Sequence, residues 1–509
     1  MDSHSQISDP STSEASNPEP VISDDQVRKR LFIFCDGTWQ DGVNKKRRLT
    51  NVATLARCLE GISEDNYIQT VYYDNGVGNA TSLPSRLIDG ATGRGISVKI
   101  RNAYSFLSHN YNFSHNQDEI FLVGFSRGAF AVQCLASFIS QTGLFQKQHL
   151  YYLRGLFALW KNQSFKRVGS GERRPVKEKL DDYVRNFYNE GLLHQVRIKA
   201  CVVWDTVNAL GLPTPWPRPL SFVGRAIPEA IENAFQVLAL DERRAQFKPC
   251  IWRSKEGEGT YAKQCWFLGS HADVGGNGDA VLGAVALIWT IGQLQANTNA
   301  TFNRTEIMKH LKHRFLEWDF HINEFFHQIK ETAILSDIAN SGRTSKPSWY
   351  WWLSGLKPRR GYLQTDDHRP NLQLVHFTAR LTMAEGRNKS KLLRKWTTET
   401  RGDGTVSWRL GDKVLLEDKL SDDSHCKEYN EYAIFKAWRD GEFPMERTDR
   451  STFATHVRAL IQDQREELDG TLSSFISLLE KDLRFTGHHL APHVMYSPNE
   501  HRIIQHDQN

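Results

Sequence analysis

Two hydrophobic rhythms alternate along the first part of this chain. Short continuous apolar runs are separated by stretches whose apolar residues recur at helical spacing, and each rhythm predicts its own element. The runs 31–35 (LFIFC), 67–73, 120–123, 198–204 (IKACVVW) and 264–268 are strands of the buried type. Between them, 50–59 carries Val52, Leu55, Ala56 and Leu59 on one helical face, capped by Thr50 or Asn51. Residues 96–110, 129–139, 178–190 and 228–240 are read as further helices. The longest apolar run, 281–291, is a buried helix too short to span a bilayer. Strands alternating with helices predict an α/β fold, a mostly parallel sheet covered by helices on both faces.

The rhythm changes near residue 300. Helical spacing runs through 304–334, an aromatic and basic loop follows at 337–362, and 371–384 forms one more element. Charge is high and periodicity weak over 385–450, and 452–485 is helical again in pattern. At the other end, 1–27 is rich in Ser, Pro, Asp and Glu with little to bury, which predicts a disordered tail. The expected organisation is therefore a tail (1–27), an α/β catalytic domain (28–300) and a mainly helical C-terminal region with charged insertions (301–509).

Charge and cysteine usage narrow the function classes. Lys and Arg (64) nearly balance Asp and Glu (59), and a net charge of +5 on 509 residues makes no electrostatic case for nucleic acid. The seven cysteines are scattered, odd in number and mostly within apolar runs, which suits buried thiols in a reducing compartment. The N-terminus has neither the basic start nor the apolar core of a secretory signal, so an intracellular, cytoplasmic protein is expected.

Four predicted strands end in chemically loaded groups: Asp36-Gly37-Thr38, Ser126, Asp205 and His271. In a parallel sheet such ends gather at one edge, where ligands bind. Gly124-Phe125-Ser126-Arg127-Gly128 is a G-x-S-x-G match between a strand and a helix, the pattern that lifts a seryl oxygen clear of a sheet. Serine needs a base, and the base needs an acid to fix its tautomer. Of nineteen histidines, His271 stands out by position, in the glycine-rich turn after 264–268. Asp205, directly after 198–204, is the expected acid, with Asp273 the alternative. Ser126, Asp205 and His271 keep the chain order of α/β-hydrolases. Oxyanion donors are expected at the amides of Arg127 and of Gly37 or Thr38, and no metal or organic cofactor is called for.

Other readings stand beside this one. Asp36-Gly37-Thr38 also occurs in phosphatases with a nucleophilic Asp two residues earlier, although Phe34 holds that position here. A catalytically inactive binding protein would keep the pocket without turnover. GATGRG (90–95) could present amides to a phosphate or be a plain connector, and PTPWPRP (213–219) is a stiff rim. Trp349, Trp351, Trp352, Leu353, Leu356, Lys357, Arg359 and Arg360 combine rings and cations as peripheral membrane contacts do, or form a buried aromatic flap. His376 is read as packed or gating, not as a second base.

The set FCDGTWQD, VYYDNGVGN, GFSRGAFA, VWDTV, ALDERRAQFKP and WFLGSHADVGG, in order over about residues 30–280, resembles an uncharacterised α/β-hydrolase family. Its best-known relatives are bacterial type VI secretion phospholipase effectors. The resemblance implies an α/β-hydrolase fold, a triad at Ser126, Asp205 and His271, and esterase or phospholipase activity on lipid acyl esters. The chain departs from the pattern at Val132-Gln133-Cys134, where relatives often carry an arginine.

Overall fold

The computed structural model describes residues 27–37, 48–76, 94–114, 117–164, 176–207, 220–252 except 221, 225 and 246, and 259–311 except 308. Farther on it describes 359, 363, 373–380, 390, 392–400 and 405–418. The predicted tail, most of the aromatic loop, the rim 213–219 and the stretch 452–485 lie outside the described residues.

Strand β1 (Lys29–Cys35) is followed by helix α1 (Asn51–Arg57) and β2 (Ile68–Asp74). Then come α2 (Arg94–Asn110), β3 (Glu119–Phe125) and α3 (Arg127–Thr142). A two-residue pair, β4 (Leu144–Phe145) with β5 (Leu193–His194), brackets α4 (Leu153–Asn162) and α5 (Val176–Asn189). Strands β6 (Ile198–Trp204), β7 (Ile231–Ala239) and β8 (Tyr261–Phe267) complete the middle of the chain. A helical turn α6 (His271–Val274) and α7 (Ala280–Asn297) follow, and β9 (Gln373–His376), β10 (Thr397–Thr400), β11 (Val406–Leu410) and β12 (Lys413–Asp418) come last.

All but the small pair form one ten-stranded sheet in the order β10-β11-β12-β9-β8-β7-β6-β3-β1-β2. From β2 through β12 every neighbouring pair is parallel, and β11 and β10 add antiparallel pairs at the edge. The α/β expectation is met in this parallel sheet. Its strands read as continuous apolar runs because both faces are covered. Leu31, Ile33 and Cys35 of β1 face one core and Phe32 and Phe34 the other. Helices α2 to α5 pack on the first face, α1 and α7 on the second. Helix α1 begins at Thr50, whose hydroxyl accepts from Ala53 N at 3.1 Å. Asn51, the other cap considered, ties the helix to α6 and α7 through the carbonyls of Val274 and Gly283 (2.9 and 3.0 Å).

Two stretches fold differently from their pattern. The helix expected at 228–240 is β7, a strand inserted between β6 and β8. Its run AFQVLAL fits either element, and burial on both faces decides for the strand over helix propensity. Its polar side chains are satisfied internally, Asn233 on Lys199 O and Gln236 on Cys250 O (2.9 and 2.8 Å). Beyond residue 300 the expectation was helix, one further element at 371–384 and weakly patterned insertion; the described residues of 373–418 supply four strands of the same sheet, with β9 inside that further element.

Helix α7 is 18 residues long and, by length and composition, apolar enough to cross a membrane, with 83% of it buried inside the protein. Of the six described cysteines, five are buried and Cys250 is partly so, all as free thiols.

Candidate active site

The strand order places β1 between β2 and β3, so the connections leaving β1 and β3 run to opposite sides of the sheet. A crevice opens beyond the carboxyl ends of strands at such a point. Gly37 follows β1, Ser126 follows β3, and Asp205 and His271 follow β6 and β8.

Ser126 occupies a turn that few residues tolerate. Its φ of 58° and ψ of −119° put a non-glycine residue in a strained region, held there because β3 must become α3 within one residue. Its amide is fixed to Trp204 O at 3.0 Å. The two glycines of the motif serve close approach. A β-carbon at Gly124 would meet Ala129 Cα at 2.7 Å, and one at Gly128 would collide with the carbonyls of Cys35 and Asp36. Helix α3 therefore crosses directly over the end of β1.

His271 is the first residue of the turn α6. Ser270 caps that turn, and the carboxylate of Asp273 reaches back to the Ser270 amide at 2.7 Å. Asp273 also accepts from Asp279 N at 2.8 Å, so the alternative acid serves backbone amides. The His271 ring lies stacked on Phe125 (4.7 Å between centroids) and edge-on to Phe247 (4.8 Å). Its Nε2 is 2.8 Å from Ser126 Oγ and its Nδ1 is 2.7 Å from Asp205 Oδ2. In the neutral tautomer that this arrangement favours, Nδ1–H donates to the carboxylate and Nε2 accepts from the serine hydroxyl.

Asp205 is fully buried and also in the positive-φ region, at 41°. Oδ1 accepts from Ala239 N at 3.0 Å. Burial alone would push this carboxyl up, but the Arg359 guanidinium and the His271 hydrogen bond outweigh it and hold the group well below the usual carboxylate range. Arg359 Nη1 and Nη2 lie 2.5 and 2.9 Å from Oδ1 and Oδ2.

For Arg359, that contact decides between the two readings of its segment in favour of burial. Arg359 is not an interfacial membrane cation; it is 2% exposed and fastened to the acid beside His271. Its neighbours in that reading, from Trp349 to Lys357 and at Arg360, lie outside the described residues. No spacing signal could have paired positions 205 and 359, and the only hint was a cation within an aromatic segment. Glu242, also unremarked in the sequence, accepts the His271 amide at 3.3 Å. Burial would raise its carboxyl, but Arg244 prevails and holds it low.

Of the expected oxyanion donors, Gly37 stands beside Phe125 and Ser126, but its N–H donates to the Asp36 carboxylate at 2.6 Å. Thr38 lies outside the described residues. The Arg127 amide is the first of helix α3, where N–H groups have no intrahelical acceptor. Burial pulls the Arg127 guanidinium down to about 10.

Asp36, the acid of the phosphatase reading, is 1% exposed and also accepts hydroxyl bonds from Thr50 (2.7 Å) and Tyr73 (2.6 Å). Burial pushes its carboxyl up in spite of these donors. Phe34, two residues earlier, is buried in the core. His376 is a packed side chain, its ring stacked on Phe267 at 4.5 Å and its Nδ1 2.8 Å from Thr378 Oγ1. Among the described residues no group of three or more His, Cys, Asp or Glu side chains is arranged to hold a metal ion.

Comparison with known proteins adds a family. The model of the type VI secretion phospholipase effector Tle1-like catalytic domain matches residues 29–293, just over half of the chain. A curated relative, the uncharacterized protein YEL023C of Saccharomyces cerevisiae, is 24% identical over 233 residues, which are 43% of this chain and 32% of that protein. Two solved structures are similar at 17% identity. One is the Tle1 effector bound to the VgrG spike of the type 6 secretion system, with a TM-score of 0.27 over 49% of this chain and 51% of that one. The other, an uncharacterized protein from Pseudomonas aeruginosa, has a TM-score of 0.30 over 62% and 52%. The chain thus spans about a third of the curated relative and about half of each structure.

Proposed function

The chain belongs to the Tle1-like family of type VI secretion phospholipase effectors through its catalytic domain, and from that premise we propose that it is a serine hydrolase of lipid carboxylic esters with an α/β-hydrolase fold. Family membership supports the substrate class. The observation that carries the mechanism is the His271 imidazole standing between Ser126 Oγ and the Asp205 carboxylate, within hydrogen-bond reach of both.

In the proposed reaction His271 Nε2 removes the Ser126 proton as Oγ attacks the ester carbonyl. Asp205 keeps Nδ1 protonated and stabilises the imidazolium that forms. The tetrahedral oxyanion is held by the Arg127 amide, favoured by the positive end of helix α3, and by the Gly37 amide once it turns from Asp36. His271 then delivers its proton to the leaving alkoxide. Water activated by the same imidazole attacks the acyl-serine and frees the acid.

Labelling with a fluorophosphonate probe, combined with a chain-length series of phospholipid and neutral esters, tests the reading. Wild type is expected to label at Ser126 and to hydrolyse esters, and Ser126→Ala to do neither while keeping its fold. Ester hydrolysis that survives in Ser126→Ala refutes the assignment.

A further inference from the structure

Resting on the hydrolase reading, we infer that Arg359, a residue beyond the family-matched segment, is a positioning residue of the triad: it locks Asp205 in place and sets the pH range in which His271 is free to act as base.

The geometry is that of a fork. Nη1 and Nη2 grip the two oxygens of Asp205 (2.5 and 2.9 Å), and the same nitrogens donate to Ala239 O (2.8 Å) and Phe247 O (2.6 Å). Every terminal N–H is used, and Nε is left buried without a partner, so the group is oriented for its outer edge. Three segments around His271 meet on this one side chain. They are the end of β6 through Asp205, the end of β7 through Ala239, and the segment whose Phe247 ring abuts the imidazole.

Charge gives the second half of the argument. Asp205 Oδ2 receives both Arg359 Nη2 and His271 Nδ1, so a protonated imidazole shares its carboxylate with a permanent cation. Among the described residues, the charged groups beside this turn are Glu242, under the His271 amide and already paired with Arg244, Asp273 on the same helical turn, engaged with backbone amides, and Asp241, which accepts from the Gly269 amide. All three are acids, and none replaces the Arg359 cation. Without its charge the imidazolium would have the carboxylate to itself, and the base would stay protonated to higher pH.

The test uses the full-length protein and two readouts. The rate of fluorophosphonate labelling at Ser126 is followed from about pH 5 to pH 9 in wild type, Arg359→Met and Arg359→Lys. In parallel, the low-field proton between His271 and Asp205 is titrated by NMR in a Ser126→Ala background. Arg359→Met is expected to move the acid-side midpoint up by about one pH unit and to lower the plateau roughly 10- to 100-fold. Arg359→Lys, a cation without the fork, should keep the midpoint and lose only plateau. A folded Arg359→Met with the wild-type midpoint overturns the inference. If Arg359→Met does not fold, an Arg359→Lys with the full wild-type plateau overturns it. Absence of Ser126 labelling in wild type at every pH sinks the hydrolase reading instead, and the NMR midpoint still reports on Arg359.

Discussion

The indole N–H of Trp289 donates to Asp418 Oδ2 at 2.6 Å, and the other oxygen of that carboxylate pairs with Lys263 Nζ at 3.1 Å. One acid from the last described strand therefore fastens α7 and β8, the two elements that flank the turn bearing His271. Burial would pull the Lys263 amine down, but Asp418 prevails and holds it up at about 12. Asp418→Ala strips both groups of their partner at once. A loss of roughly 3 kcal/mol is expected in urea unfolding, with kcat for any surviving folded protein falling far less than in a Ser126 variant.

The backbone at Ser126 stores strain that a glycine would release. Its φ of 58° with ψ of −119° lies where a β-carbon is costly. Ser126→Gly is expected to be inactive yet more stable than wild type by about 1 kcal/mol, seen as a higher Tm. Ser126→Ala retains the β-carbon and should melt close to wild type. A Ser126→Gly protein that melts well below Ser126→Ala would contradict the strain.

Gly128 has the opposite constraint, because the obstacle is immovable main chain. A methyl there collides with the carbonyls of Cys35 and Asp36 at the end of β1. Gly128→Ala should cost up to about 3 kcal/mol, measured as a lowered denaturant midpoint. It should also abolish labelling at Ser126, since α3 can no longer seat against β1.

Stability should depend on Asp205 in acid. The native carboxyl is held below its ordinary range, while the unfolded chain takes up a proton near the usual Asp value of about 3.9. Unfolded protein then binds more protons than native, so this stabilisation is present above about pH 3.9 and is lost as pH falls toward the native value. Between about pH 5 and pH 3 the Tm of wild type should fall more steeply than that of the Asp205→Asn/Arg359→Met double variant, which has neither charge. Parallel slopes would show that the pair is not the source.

Much of the candidate site was legible because it depends on strand ends. Ser126, Asp205 and His271 each follow a run whose length and composition mark a buried strand, and parallel strands bring such ends together whatever their order. The choice between Asp205 and Asp273 also followed from proximity, since a carboxylate two residues from His271 is better placed to cap its own turn than to reach the ring. β7 was misread because its Asn233 and Gln236 imitate the polar face of a helix while bonding to neighbouring main chain. Of the late strands, β9 falls within the element expected at 371–384, whose type was left open, and β10 to β12 were missed. β9 is four residues long, all four residues of β10 are exposed, and neither carries the apolar run that identified β1, β3 or β6. The partner of Arg359 was not legible, because a cation's partner is a matter of three-dimensional packing.

The insertion of β9 and β12 beside β8 has a consequence for biosynthesis. A ribosome releases β1 through β8 long before residues 373–418 emerge, and until then β8 offers an unsatisfied edge of main-chain amides and carbonyls. The nascent chain must hold that edge open across more than a hundred residues of further translation. Closure of the sheet, and with it the arrival of Arg359 at Asp205, is therefore a late event, so the cluster of Ser126, His271 and Asp205 is completed only when the distal strands dock.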